Sequence, residues 1–344
     1  LNILIIDFET YFSEKDDYSL RKMSMTEYIN DPRFKVLGLG YTLMDDEGGV
    51  EPSTQWVSGK NVYEFLTSYD WTGLTVVAHN VKFDGAILAW KYGVKPKQWR
   101  DTKSMAMAVY GASVPSFSLG YLANRLGLVS KGVLNTNGLR DLTEEQEAEL
   151  AKYCLTDVEI CAKLYQELAP QIPESQWPIM DWTIRAFTEP KLVINLQTAK
   201  RCQEEIEERK EKLLSTCGVS KEILSSNQQF ATYLLSLGYK LPMKKNPKGQ
   251  LIPALALGDP EFVEMTQSLD PRLKTICLAR KEVKKTMEVK RAEKIQTLGE
   301  KYPFDIIFSG ATQTHRFSGG SGAGGNPQNF PRTSSLRSCI ESPA

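Results

Sequence analysis

Residues 3–10 read ILIIDFET: four apolar residues, Ile3 to Ile6, run directly into Asp7, Phe8, Glu9 and Thr10. A short apolar run of this kind predicts a buried strand, Asn2–Ile6, that ends in two carboxylates. Side chains alternate along a strand, so Asp7 and Glu9 project together and Phe8 projects the other way. Carboxylates are rarely buried unless paired or bound to a cation, and two at this spacing repel. Taken alone, the pair reads either as a polar strand end or as a seat for a hard divalent ion such as Mg²⁺.

The neighbouring segments predict a sheet around this strand. Phe34–Met44 and Val50–Val57 are β-rich and flank the turn DDEGG, which predicts a hairpin. Asn61–Ser68 reads as a short helix. TVVAHN, Thr75–Asn80, is a second buried strand followed at once by helical KFDGAILAWKYG. A short strand near Trp99, a helix over Thr102–Tyr110 and a helix capped by Ser118 come next. Thr143 to Gln146, TEEQ, fits a capping box and opens a long helix reaching about Glu167. Antiparallel strands followed by αβ units predict an α/β fold, a mixed sheet flanked by helices. Pro170, Pro173 and Pro178 mark a boundary. Beyond it lie a charged helix over Leu196–Cys217, an insert at 220–258 with a helix and a Pro/Lys loop (KLPMKKNPKGQ), and a basic helical stretch at 259–298.

Bulk composition narrows the function classes. The chain has 344 residues, 41% hydrophobic and 24% charged, which fits two or three ordinary globular domains. No stretch approaches the roughly 18 apolar residues of a membrane span, and the N-terminus lacks signal-peptide features. Six cysteines without a C-x-x-C pair and two histidines argue against zinc or a disulfide framework and for the reducing cytoplasm. The net charge is zero, yet residues 271–340 carry 13 Lys/Arg against 5 Asp/Glu. That asymmetry reads as a polyanion-binding region or as solvated faces of unequal sign.

Two further stretches carry acidic residues at helical spacing. In AHNVKFDGA, Asn80 and Asp84 lie four apart across a strand-to-helix entry and share a face. The plainer alternative has Asn80 cap the helix and Asp84 sit in its first turn. In YCLTDVEI, Tyr153 and Asp157 are also four apart, beside a core stripe of Leu150, Cys154, Val158, Cys161 and Leu164. Asp101, in RDTKSMA, reads best as a helix N-cap.

The combination of Asp-x-Glu, Asn-x-x-x-Asp and Tyr-x-x-x-Asp within this span resembles the DEDD 3′–5′ exonucleases, in the subgroup with tyrosine in the last motif. Asp7 and Glu9 match the first motif, Asp84 the second, and Tyr153 with Asp157 the third. The resemblance implies a ribonuclease-H-like sheet and two divalent ions, Mg²⁺ or Mn²⁺, held by Asp7, Glu9, Asp84 and Asp157 about 4 Å apart. It further implies that Tyr153 orients the attacking water and that Thr10 and Asn80 hydrogen-bond the terminal nucleotide.

The C-terminal stretch ATQTHRFSGGSGAGGNPQNFPR resembles the signature that opens the palm of family A DNA polymerases, the DNA polymerase I class. Arg316, Ser318, Gln328, Asn329, Pro331 and Arg332 match it, while His315 stands where the family has glycine. By this resemblance Arg316, Gln328, Asn329 and Arg332 contact the primer–template. Lys281, Lys284, Lys285, Lys290, Arg291 and Lys294 decorate one helical segment, which reads either as a basic stripe that tracks phosphates or as a solvated helix face. The organisation implied is an exonuclease domain at 1–172 and a linker at 173–190. A thumb-like helical region follows at 191–300, with its tip at 220–258 similar to phage-type members, and the start of a palm at 301–344. A phage-encoded member would act in the cytoplasm of a bacterial host.

After Arg337 the sequence holds no Asp, so the chain alone is not expected to polymerise. A split enzyme, with a second chain carrying the rest of palm and fingers, and a partial product are the two explanations; Leu1 favours a fragment. The function expected is proofreading during DNA replication on single-stranded 3′ ends. Competing readings are a DNA-binding and docking subunit of a split polymerase with little nuclease activity, and an RNA-trimming exonuclease.

Overall fold

The computed structural model describes residues 2–45, 54–128, 132, 134–247, 249–284, 286–322, 330 and 335–343. The chain divides into two compact units. The first holds residues 2–194, the described residues of 298–331, and 340–343. Its elements begin with β1 (Ile3–Thr10), α1 (Met25–Asn30), β2 (Val36–Met44), β3 (Gln55–Ser58), α2 (Val62–Thr67), β4 (Thr75–Ala78) and α3 (Lys82–Tyr92). They continue through β5 (Gln98–Asp101), α4 (Thr102–Tyr110), α5 (Leu119–Arg125), α6 (Glu144–Leu168), α7 (Trp177–Thr188) and β6 (Val193–Ile194).

Five strands form one mixed sheet in the order β3-β2-β1-β4-β5. β1 is central, antiparallel to β2 and parallel to β4. Its apolar half, Ile3 to Ile6, is fully buried, as the sequence predicts. The strand runs further than the apolar run, however, through Asp7 and Glu9 to Thr10. The cause is β2, which pairs with β1 from Ile3 to Thr10, whereas β4 pairs only as far as Ile5. The carboxylates are therefore held in regular strand geometry and not at a frayed end.

Both residues opposite them on β2 are glycines: Gly40 faces Asp7 and Gly38 faces Glu9. A Cβ at Gly40 would lie 2.7 Å from Cys154 Sγ and 3.1 Å from Val158 Cγ2. The missing side chain lets α6 settle directly on the sheet at this point. The capping box expected at the start of α6 is present: Thr143 Oγ1 accepts from Gln146 N at 3.2 Å, and Gln146 Oε1 accepts from Thr143 N at 2.9 Å.

The stretch 173–190, expected as a linker, is instead mostly helix α7, which buries Met180, Ile184 and Phe187. Pro178 does not break it, because it lies in the first helical turn, where no backbone N–H is needed. Asp181 of α7 accepts the Trp99 N–H at 2.7 Å, which satisfies a backbone donor on the edge strand β5.

The second unit is mostly helical: α8 (Leu196–Cys217), α9 (Lys221–Ser225), α10 (Asn227–Ser236), β7 (Met243–Lys245), β8 (Leu251–Pro253), α11 (Pro260–Met265), α12 (Pro271–Lys284) and α13 (Thr286–Thr297). The KLPMKKNPKGQ stretch, expected as a loop, forms the β7–β8 hairpin over its described residues. Its core gathers Leu224, Phe230, Leu234, Leu255, Phe262 and Ile276 around Arg280, which is fully buried. The Arg280 guanidinium donates to the carbonyls of Leu224 (2.6 Å), Ser226 (3.3 Å) and Leu255 (3.2 Å) and to Asn227 Oδ1 (2.5 Å). The Phe230 ring lies 4.2 Å from it. Burial lowers its pKa to about 10, so the group remains charged at neutral pH.

The remaining described elements return to the first unit: β9 (Ile306–Ala311), β10 (Arg316–Gly319) and β11 (Ile340–Glu341). The stretch expected as a separate palm start at 301–344 thus groups with the sheet in its described residues up to 322. Among the described residues no helix is long and apolar enough to cross a membrane.

Two measurements check this architecture. Gly40→Ala should destabilise the protein by about 1–3 kcal/mol in thermal unfolding, because α6 has no room to give. Gly73→Ala, where an added Cβ meets nothing within 4 Å, should be near neutral. Arg280→Ala leaves buried carbonyls without their donor and should cost about 3 kcal/mol or more. Amide exchange should then quicken across Lys221–Ser236 and Pro271–Lys284 while β1 to β5 stay unchanged.

Candidate active site

The site grows from the alternation on β1. Phe8 is buried and its ring stacks on Tyr92 of α3, with centroids 6.4 Å apart. Asp7 and Glu9 project to the other face, half-buried, toward α6. The register then shifts: Glu9 pairs with Gly38 and Thr10 with Val36, which leaves Leu37 of β2 as the extra residue. On α6, Cys154 lies 3.3 Å from the Asp7 carbonyl and 3.5 Å from Asp7 Oδ2, which share its one thiol proton. The ligand-capable atoms of Asp7, Glu9 and Cys154 all fall within 4.8 Å of one another. Burial first, and then the charges of Asp7 and Glu9, push the Cys154 thiol well up, so it stays protonated and serves as a donor.

Asp157 is buried and Tyr153 half-buried on the same helix. Cys154, three residues before Asp157, touches Asp7. Cys161, four residues after it, lies within electrostatic reach of Asp7, Asp84 and Asp101. Asp157 is thereby on the α6 face that looks at the sheet.

Asp84, in the first turn of α3, is buried and accepts the Phe8 N–H on Oδ1 at 3.0 Å. This bond takes up the β1 edge where β4 has stopped pairing. Burial, then the neighbouring Asp7 charge, raises its carboxyl well above the usual range. Carboxylates crowded this way fit a hard divalent cation, which would remove both penalties.

Asn80 is placed differently from its expectation. It stands outside α3 with φ of 70°, a left-handed conformation, so its four-residue spacing from Asp84 is not helical. Nor does its side chain cap α3. Its N–H donates to Asp101 Oδ1 at 2.7 Å, and its own Oδ1 accepts from Lys103 Nζ at 3.3 Å. Asp101 is the N-cap of α4, as the sequence predicts, accepting from Lys103 N and Ser104 N at 3.2 Å each. It also clamps the turn before α3 through Asn80 N and Val81 N, a second duty no local pattern indicates.

Beside the carboxylates opens a cleft of about 810 Å³ lined by Glu9, Thr10, Phe12, Tyr28, Phe83 and Asn137, among others. Thr10 borders it. Asn80 is not among its lining residues. Sequence reasoning missed Tyr28 and Phe83 here, and it read Cys154 as core alone; contacts across distant segments bring all three in.

The expected nucleic-acid contacts fare unevenly. Lys285, Gln328, Asn329 and Arg332 lie outside the described residues. Lys290 is exposed, and Lys281 and Arg291 are half-buried. Lys284 donates to Asn227 Oδ1 at 2.6 Å and its pKa is lowered, mainly by burial, so it serves the helical unit's own packing. Arg316 is exposed at the start of β10. His315 before it has φ of 53°, so it keeps the left-handed turn that a glycine would favour there.

Comparison with known proteins adds a family match over part of the chain. Residues 66–173 match the 3′-5′ exonuclease family DNA_pol_A_exo1, a span that includes Asp84, Tyr153 and Asp157 and begins after Asp7 and Glu9. No curated protein matches the chain. Among solved structures, the POL domain of Pol1 from M. smegmatis, in complex with DNA primer-template and dNTP, is similar with a TM-score of 0.54 and 17% identity. The match covers 89% of this chain and 52% of that one, so the chain spans about half the length of that POL domain. Brucella melitensis NrnC (TM-score 0.39, 17% identity) matches over 55% of this chain and 84% of its own. Trypanosoma brucei RNase D, in complex with RNA U12 (TM-score 0.38, 13% identity), matches over 55% and 61%. Residues 66–173, just under a third of the chain, therefore match a 3′–5′ exonuclease family, and the chain shares its fold with the POL domain of Pol1.

Proposed function

We propose that this chain is a divalent-metal-dependent exonuclease that removes nucleotides from DNA 3′ ends, as the proofreading part of a family A DNA polymerase. The observation that carries the reading is the Asp84 Oδ1 to Phe8 N–H bond, which ties the second acidic motif to the strand bearing the first. Held by Asp7, Glu9, Asp84 and Asp157, Mg²⁺ or Mn²⁺ would polarise the scissile phosphodiester and acidify a bound water. Tyr153 is the residue to orient that water. Cys154 fixes the Asp7 carboxylate through its thiol donor. Thr10 and Glu9 face the terminal sugar, and Phe12 and Phe83 offer apolar walls for an unstacked base. Arg316 and Lys290 are exposed cations that a DNA backbone would meet.

Digestion of a 3′-labelled single-stranded DNA oligonucleotide tests this. Asp7→Ala/Glu9→Ala should cut the rate at least a thousandfold, about 4 kcal/mol of lost transition-state stabilisation. Equal rates for variant and wild type would overturn the assignment, and a preference for RNA ends would move it to RNA trimming. EDTA should abolish digestion and Mn²⁺ restore it. Mn²⁺ should also raise the melting temperature of the wild type but not of the double variant.

A further inference from the structure

Thr10 does not border the cleft as a freely rotating hydroxyl. Its Oγ1 lies 2.8 Å from the Tyr28 hydroxyl. Tyr28 is 2% exposed, and its hydroxyl in turn donates to the backbone carbonyl of Tyr11 at 2.6 Å. A carbonyl can only accept, so the single Tyr28 proton is committed to Tyr11. Burial pushes the Tyr28 pKa up to about 12, so that proton is retained. The Tyr28 oxygen is left to accept, and the Thr10 proton is drawn to it. Thr10 then presents only lone pairs to the cleft, beside the Glu9 carboxylate.

Tyr28 is itself held firmly. Its ring stacks on Tyr18 at 4.6 Å and lies 6.1 Å from Phe83. The Tyr18 hydroxyl donates to the Tyr28 carbonyl at 3.1 Å. The direction of the proton chain is thus built into the packing of α1 against the end of β1.

We propose that Tyr28 is a specificity-determining positioning residue: through the chain Thr10 to Tyr28 to Tyr11 it fixes Thr10 as an acceptor, so that the site selects a 3′ end bearing a hydrogen-bond donor. A 3′-hydroxyl satisfies this. A 3′-hydrogen offers nothing, and a 3′-fluorine or 3′-phosphate opposes the lone pairs with its own. The inference rests on the exonuclease reading and on Thr10 meeting the terminal sugar.

The test compares kcat/KM on single-stranded DNA ending in 3′-hydroxyl, 3′-hydrogen and 3′-fluorine. Wild type should favour the 3′-hydroxyl by roughly fivefold or more over either analogue, the worth of one neutral hydrogen bond. Tyr28→Phe frees the Thr10 proton to turn into the cleft, so the preference over 3′-fluorine should fall toward one. Thr10→Val should abolish the preference, and Thr10→Ser, which keeps the hydroxyl, should retain it. A purely structural role for Tyr28 would lower all three rates together and leave their ratios unchanged, which would overturn the proposal. If Tyr28→Phe fails to fold by circular dichroism, wild type still decides: equal cleavage of 3′-fluorine and 3′-hydroxyl ends refutes the acceptor polarity. Loss of any difference between wild type and Asp7→Ala/Glu9→Ala would instead mark failure of the exonuclease reading itself.

Discussion

One backbone amide governs the geometry of the candidate site. The Phe8 N–H would be an unsatisfied donor in the sheet, because β4 stops pairing with β1 at Ile5. Asp84 fills the gap. A backbone donor is satisfied, a buried carboxylate gains a partner, and α3 is pinned to the strand carrying Asp7 and Glu9. The same bond sets an electrostatic problem, since it brings a third carboxylate into a crowded, poorly solvated space. On the proposed reading, a cation bound among these carboxylates would relieve that crowding.

Around that bond the structure removes obstacles more than it adds contacts. Gly40 leaves the face above Asp7 clear for α6, which descends onto it with Cys154, Asp157 and Cys161 on its inner side, while the space at Gly38 is taken by the Trp56 ring. On the other side of the sheet Phe8 and Tyr92 fill the space between β1 and α3. Asp101 joins the turn before α3 to the start of α4 with backbone bonds to both. The acidic residues are therefore positioned by three separate elements, each fixed by its own hydrogen bonds.

Much of this was legible in the sequence, for a physical reason. The pairing of Asp7 with Glu9 depends only on strand periodicity, and that of Tyr153 with Asp157 only on helical periodicity. Local rules also carried the capping box at Thr143 and the cap at Asp101. What failed depends on distant partners. The extension of β1 to Thr10 needs β2, some 30 residues away. Pro178 reads as a breaker until its place in the first turn of α7 is known. Asn80 follows helical spacing from Asp84 only if it is helical, and its left-handed backbone is set by Asp101, twenty-one residues on. The Pro/Lys stretch reads as a loop because hairpin pairing between Met243–Lys245 and Leu251–Pro253 leaves little periodicity in three-residue strands. The polarity of Thr10 is invisible without Tyr28 and Tyr11 in view.

Cys154 carries a consequence of a different kind. Its thiol is fully buried against Asp7, and its raised pKa keeps the nucleophilic thiolate scarce. While α6 is seated on the sheet, the sulfur is closed to alkylating reagents and resistant to peroxide. It becomes reactive only when the helix lifts away. The fold thus contains its own clock for local opening: the alkylation rate of this one thiol measures how often the two halves of the acidic site part company.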